Sequence, residues 1–128
     1  MKVALAQINT TVGDLAGNEA KIIAAYQRAA AGGVDLVIFP ELTTTGYPPR
    51  DLLLKKRFVE QNLEMLERIA QQTGKTAMLA GFVGKNTARP GKPITNSVAL
   101  LQNGRVVTTR AKVLLPTYDV FDEDRYFE

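Results

Sequence analysis

The 128-residue sequence contains no cysteine, no histidine and no tryptophan. Without cysteine there is no disulfide framework and no thiol nucleophile among these residues. Without histidine there is no imidazole to act as base or metal ligand, so the usual zinc sites and any Ser–His or Cys–His pair built from this stretch alone are excluded. Chemistry must rest on carboxylates, lysine, arginine, tyrosine or hydroxyls. Long apolar runs are missing as well: Val34 to Pro40 is interrupted by Asp35 and is far too short to span a bilayer. The opening Met1-Lys2-Val3-Ala4-Leu5-Ala6 reaches the polar Gln7 and Asn9 too soon for a secretory signal, which makes the cytoplasm the expected location. The sequon Asn9-Thr10-Thr11 then carries no meaning.

What is present suits one folded unit. Hydrophobic residues make up 45% and charged residues 23%, a balance that supplies a core and argues against disorder. The formal charge of +3 raises the question of nucleic acid. Its basic residues are dispersed, however, and the one cluster, Lys55-Lys56-Arg57, reads as the solvated start of a helix. Neither a nucleic-acid nor a membrane partner is expected.

Hydrophobic periodicity orders the chain. Lys2 to Ile8 alternates as a strand, and Asn18 is a candidate cap for a helix reaching about Ala31, with Ile22, Ile23, Tyr26, Ala29 and Ala30 on one face. Gly32-Gly33 ends that helix, and Asp35 to Phe39 reads as a short strand buried on both faces. A second helix is predicted over Lys56 to Thr73, closed by Gly74, followed by a strand from Thr76 to Val83. Gly84 to Pro93 reads as an exposed loop. Ser97 to Gln102 and Arg105 to Arg110 flank Asn103-Gly104, a hairpin signal because both turn positions need positive φ. Strand, helix, strand, helix, strand, hairpin implies an α/β fold whose first strands are parallel. The aromatic and acidic tail after Arg110 is neither clean strand nor helix, and its apolar side chains are costly to leave unpacked; more chain is expected beyond it.

Two positions invite chemistry. Glu41 follows the buried strand and Pro40, and so emerges at the carboxyl end of a central strand, where open α/β sheets place their ligands. Capping a helix or pairing on the surface is the competing reading. Lys112 follows the second hairpin strand; there it either points into a site, where an ammonium stabilises a developing oxyanion, or snorkels to solvent. Gly81-Phe82-Val83-Gly84-Lys85-Asn86 has some likeness to a phosphate loop, but its glycines are too close together and it reads as a surface turn.

At Phe39-Pro40-Glu41-Leu42 and Arg110-Ala111-Lys112 the chain resembles the nitrilase superfamily of carbon–nitrogen hydrolases, as do the opening strand, Gly13-Asp14 and Asn18. The runs from Thr45 to Leu53 and from Lys112 to Phe127 are similar to the glutaminase domains of glutamine-dependent NAD synthetases in particular. The resemblance implies the amino-terminal half of a four-layer αββα sandwich, with residues 1–128 forming part of one hydrolase domain. It makes Glu41 and Lys112 two members of a Glu-Lys-Cys triad, with Glu41 as general base and Lys112 as oxyanion holder; the cysteine is expected further along. It also matches Glu123 to the family's second glutamate, expected to position Lys112 or the substrate, and Tyr118 to a glutamine-binding position. The implied partners are L-glutamine and a synthetase domain using deamido-NAD and ATP, in a homo-oligomer. The glutaminase part needs no cofactor, whereas ATP and Mg2+ belong to the synthetase domain. A stand-alone amidase or carbamoylase and a non-catalytic α/β binding module are the alternatives.

Overall fold

The computed structural model describes residues 1–88 and 90–128. Five strands form one sheet in the order β1 (Val3–Leu5), β2 (Leu36–Ile38), β3 (Ala77–Lys85), β4 (Ile94–Gln102) and β5 (Arg105–Ala111). The first three are parallel, and β3, β4 and β5 pair antiparallel. Helices α1 (Leu15–Ala31) and α2 (Lys56–Gln71) cover one face. This one helix layer on one sheet layer is half of a four-layer sandwich.

The core between the layers collects the inward positions of both periodicities. Ile22 and Tyr26 of α1 and Met65 and Ile69 of α2 meet Val37, Met78, Ala80 and Leu101 of the sheet. On the other face of the sheet the strand-to-strand register aligns Leu5, Ile38, Leu79 and Leu100 in a row. That face is apolar and partly open: Leu5 is 79% exposed and Val98 38%.

Several expectations are corrected. The cap of α1 is Asp14, whose Oδ1 accepts from Gly17 N at 2.9 Å; the helix starts at Leu15, before Asn18. With the cap position taken, Asn18 turns inward and is fully buried. Strand β3 runs on through Lys85, so the likeness to a phosphate loop lies in a strand rather than a surface turn. The expected loop over 84–93 therefore begins at 86, and Arg89 within it lies outside the described residues. Strand β4 begins at Ile94, three residues earlier than its apolar pattern suggests, because Thr95, Asn96 and Ser97 are polar yet buried. The hairpin turn stands as expected, with φ of 52° at Asn103 and 77° at Gly104. The tail holds one 3-10 turn, Glu123–Arg125, and packs back through Phe127, only 2% exposed, into a second core cluster with Leu42, Leu53, Val83 and Ile94.

Candidate active site

The segment after β2 is a tight, buried turn that leaves only Glu41 exposed among residues 41–46. Three features hold it. Leu42 adopts a positive φ of 44° while its side chain is buried in the second core cluster. Asn18 of α1 donates to Thr44 O at 3.0 Å and to Thr11 O at 2.9 Å, and accepts from Thr11 N. Asn62 of α2 accepts from Thr44 Oγ1 at 2.7 Å and donates to Val83 O at 2.7 Å. Both helices thus reach through the core to the same loop, and their amides satisfy groups that would be costly to bury unpaired. Beneath the turn lies Gly81 of β3. A Cβ there would sit 2.7 Å from Pro40 O and 2.8 Å from the Glu41 carbonyl carbon, so only glycine permits the approach.

Glu41 projects from this turn toward Lys112, which follows β5. Lys112 Nζ lies 2.8 Å from Glu41 Oε1 and 2.9 Å from Oε2 of Glu123, which comes from the tail. Asn96 Nδ2, from β4, donates to the same Glu41 oxygen at 2.5 Å and to the same Glu123 oxygen at 3.3 Å. Tyr47 OH donates to the remaining Glu123 oxygen, Oε1, at 2.8 Å. Among the described residues, Glu41 Oε2 has no hydrogen-bond partner, which leaves it able to take a proton. Exposure separates the two carboxylates: the Glu123 side chain is 6% exposed and that of Glu41 is 44%.

Electrostatics follow from these contacts. Partial burial would raise the Glu41 pKa, but hydrogen bonds from Lys112 and Asn96 together with the lysine charge outweigh it and hold the carboxyl below its ordinary range. Burial would lower the Lys112 pKa, yet its bonds to Glu41 and Glu123 raise it above the ordinary lysine value. Burial and the Glu123 carboxylate push the Tyr47 phenol upward. At neutral pH the site therefore holds an ionised Glu41 against an ammonium at Lys112, a base beside a fixed positive charge.

Three of the four residues singled out from the sequence, Glu41, Lys112 and Glu123, form one hydrogen-bonded group. Tyr118 stands apart from this group. It is 69% exposed and rests edge-on against Phe121 with ring centroids 5.7 Å apart, and Phe121 in turn leans on Tyr47 at 6.3 Å. A cavity of about 130 Å³ approaches Glu123 from the Tyr47 side, lined also by Arg50, Phe121 and Tyr126; neither Glu41 nor Lys112 lines it. Sequence reasoning missed Asn96 altogether. Its available signal was the polar run Thr95-Asn96-Ser97 directly before an apolar strand. The basic run Lys55-Lys56-Arg57 is solvent-exposed, with Lys56 Nζ 3.8 Å from Glu60.

A carboxylate after the parallel strand β2, paired with the ammonium that follows β5 in an α/β half-sandwich, fits the class that the family comparison defines: the chain belongs to the carbon–nitrogen hydrolase family, whose model matches residues 2–128. Among proteins of known function it is 47% identical, over 98% of its length, to the glutamine-dependent NAD(+) synthetase of Synechocystis sp. (strain ATCC 27184 / PCC 6803 / Kazusa). It spans 23% of that relative's length. The crystal structure of a glutamine-dependent NAD(+) synthetase from Cytophaga hutchinsonii superposes with a TM-score of 0.92 at 29% identity, covering all of this chain and 21% of that one. An amidase from Nesterenkonia sp. superposes at 0.79 with 26% identity, covering 100% and 47%.

Proposed function

We propose that this chain is the glutamine-cleaving part of a glutamine-dependent NAD+ synthetase, releasing ammonia that a synthetase part uses to amidate deamido-NAD at the expense of ATP, with Mg2+. The observation that carries the reading is the Glu41–Lys112 contact of 2.8 Å, made from the turn after β2 that Asn18, Asn62 and Gly81 support. Likeness along the whole chain to the synthetases, at 47% identity against 26% for the amidase, favours this reading over a stand-alone amidase.

The thiol nucleophile comes from sequence outside these residues, which contain no cysteine. Glu41 Oε2 takes the thiol proton as the sulfur attacks the carboxamide carbon of glutamine. The oxygen of the tetrahedral intermediate acquires the negative charge and is held by the Lys112 ammonium. Glu41 returns the proton to the nitrogen, the C–N bond breaks, and ammonia leaves. Water then attacks the thioester carbonyl, giving its proton to Glu41. The C–S bond breaks, glutamate departs, and the proton returns to sulfur. Glu123 anchors Lys112 throughout, and Tyr118 contacts the bound glutamine.

The test uses the full-length protein. NAD formation from deamido-NAD and ATP is measured with glutamine or with ammonium as nitrogen source. Glu41→Ala and Lys112→Ala should each lower the glutamine-driven rate by about a hundredfold or more while sparing the ammonium-driven rate. Equal loss with both sources would overturn the assignment.

A further inference from the structure

Resting on the glutamine-cleaving role of Glu41 and Lys112, we propose that Asn96 is a positioning residue, holding Glu41 and Glu123 in register while the Lys112 ammonium turns to the substrate oxygen. Two donors bridge the same two acceptors. Lys112 Nζ and Asn96 Nδ2 both reach Glu41 Oε1, and both reach Glu123 Oε2. The four groups close a ring in which each carboxylate oxygen is shared by one charged and one neutral donor.

The chemistry makes the two donors unequal. Adjacent carboxylates repel, and a single ammonium between them offsets that repulsion. In the reaction that ammonium has a second duty at the developing oxyanion, and any bond it gives there weakens its hold on the carboxylates. The Asn96 amide has no such second duty. It carries no charge, stays a donor at every working pH, and sits on a strand in the middle of the β3–β4–β5 pairing. Asn96 is 3% exposed, and its own backbone carbonyl accepts from Lys112 N at 2.7 Å, so one residue fixes both carboxylates and the backbone of the lysine. Facing carboxylates only, its side chain must present nitrogen rather than oxygen.

Loss of this donor also alters proton affinity. The titratable groups facing Glu41 are Lys112 after β5, Glu123 in the tail and, further off, Tyr47. Removing Asn96 takes away one of the bonds that stabilise ionised Glu41 and leaves the others, so the carboxyl becomes easier to protonate.

The experiment is the pH dependence of kcat/KM for glutamine in the full-length protein, for wild type, Asn96→Ala, the isosteric Asn96→Asp and a Glu41→Gln control, with the ammonium-driven rate as a check on folding. Asn96→Ala should lose about tenfold or more in glutamine-driven kcat, less than the Glu41→Gln control loses, and its acidic limb should move to higher pH. Asn96→Asp should shift the limb the same way, because it exchanges a donor for an added acid beside Glu41. If Asn96→Ala also loses its ammonium-driven rate, Asn96→Asp alone decides. A collapsed Glu41→Gln control with an unchanged rate or an unshifted limb in the deciding Asn96 variant overturns the positioning role and leaves the proposed function standing. An unimpaired Glu41→Gln control overturns both.

Discussion

Gly81→Ala should disable glutamine cleavage although the residue bears no functional group. The added Cβ would stand 2.7 Å from Pro40 O and 2.8 Å from the Glu41 carbonyl carbon, with the Leu42 nitrogen nearer still. Ordinary contacts of a carbon lie at about 3.5–4.0 Å, so the turn must retreat by roughly 1 Å. All three atoms are backbone, so no side-chain rotation relieves the clash. Glu41 rides on that turn, and a misplacement of about 1 Å costs on the order of a hundredfold in rate. Overpacking of this kind destabilises by about 1–3 kcal/mol, small enough for the domain to remain folded. The assay is glutamine-driven against ammonium-driven NAD formation by the full-length variant, with a thermal melt alongside. A Gly81→Ala protein that keeps wild-type glutamine turnover and melting temperature would refute the claim that β3 sets the position of the base.

The buried asparagine on α2 is open to a second test. Asn62→Ala strands Val83 O and the Thr44 hydroxyl without their 2.7 Å partners, and should cost about 1–3 kcal/mol in urea denaturation; a loss below about 0.5 kcal/mol would show that the cross-tie is not needed. A third concerns pH. The folded pKa of Glu41 lies below its ordinary value of 4.5, so its contribution to stability is present above that value and is lost as pH falls through the depressed one. The Lys112 pKa lies above its ordinary 10.5, so its contribution is present below that value and is lost as pH rises through the raised one. The melting-temperature gap between wild type and Glu41→Gln should therefore be flat from about pH 6 to about pH 9 and shrink on acidification below the carboxylate range. A gap that widens in acid would contradict the depressed pKa.

Much of the architecture was legible because it is local. Periodicities of 2 and 3.6 residues placed the strands and both helices, and Asn103-Gly104 marked its turn by a backbone requirement that few residue pairs meet. Glu41 stood out for the same reason: a strand followed by Pro40 locates the end of a sheet element without knowledge of its neighbours. Errors arose where a tertiary demand overrode the local pattern. Asn18 looks like a cap until the fold shows Asp14 in that place and a loop from elsewhere needing the Asn18 amide. Gly81 and Gly84 look like a turn until the Glu41 segment and the hydroxyls of Thr95 and Ser97 are seen resting on them. Lys112 was undecided on spacing alone, and Asn96 was marked by nothing beyond its polar run before an apolar strand. Both depend on what faces them across the sheet, which one-dimensional spacing does not encode.

The site is also a statement about the order of folding. Glu41 meets Asn96 across 55 residues and Lys112 across 71, and Tyr47 meets Glu123 across 76. Contacts of such high sequence separation are reached only after the entropy of closing long loops has been overcome, which topology places late in folding. The parallel strands and their helices can assemble first, setting Glu41 on its turn with neither ammonium nor amide beside it. The ring closes when β4, β5 and the tail arrive. Glu41 is thus in place early and Lys112 late, and the ring of Glu41, Lys112, Asn96 and Glu123 exists only once both the sheet and the tail are complete.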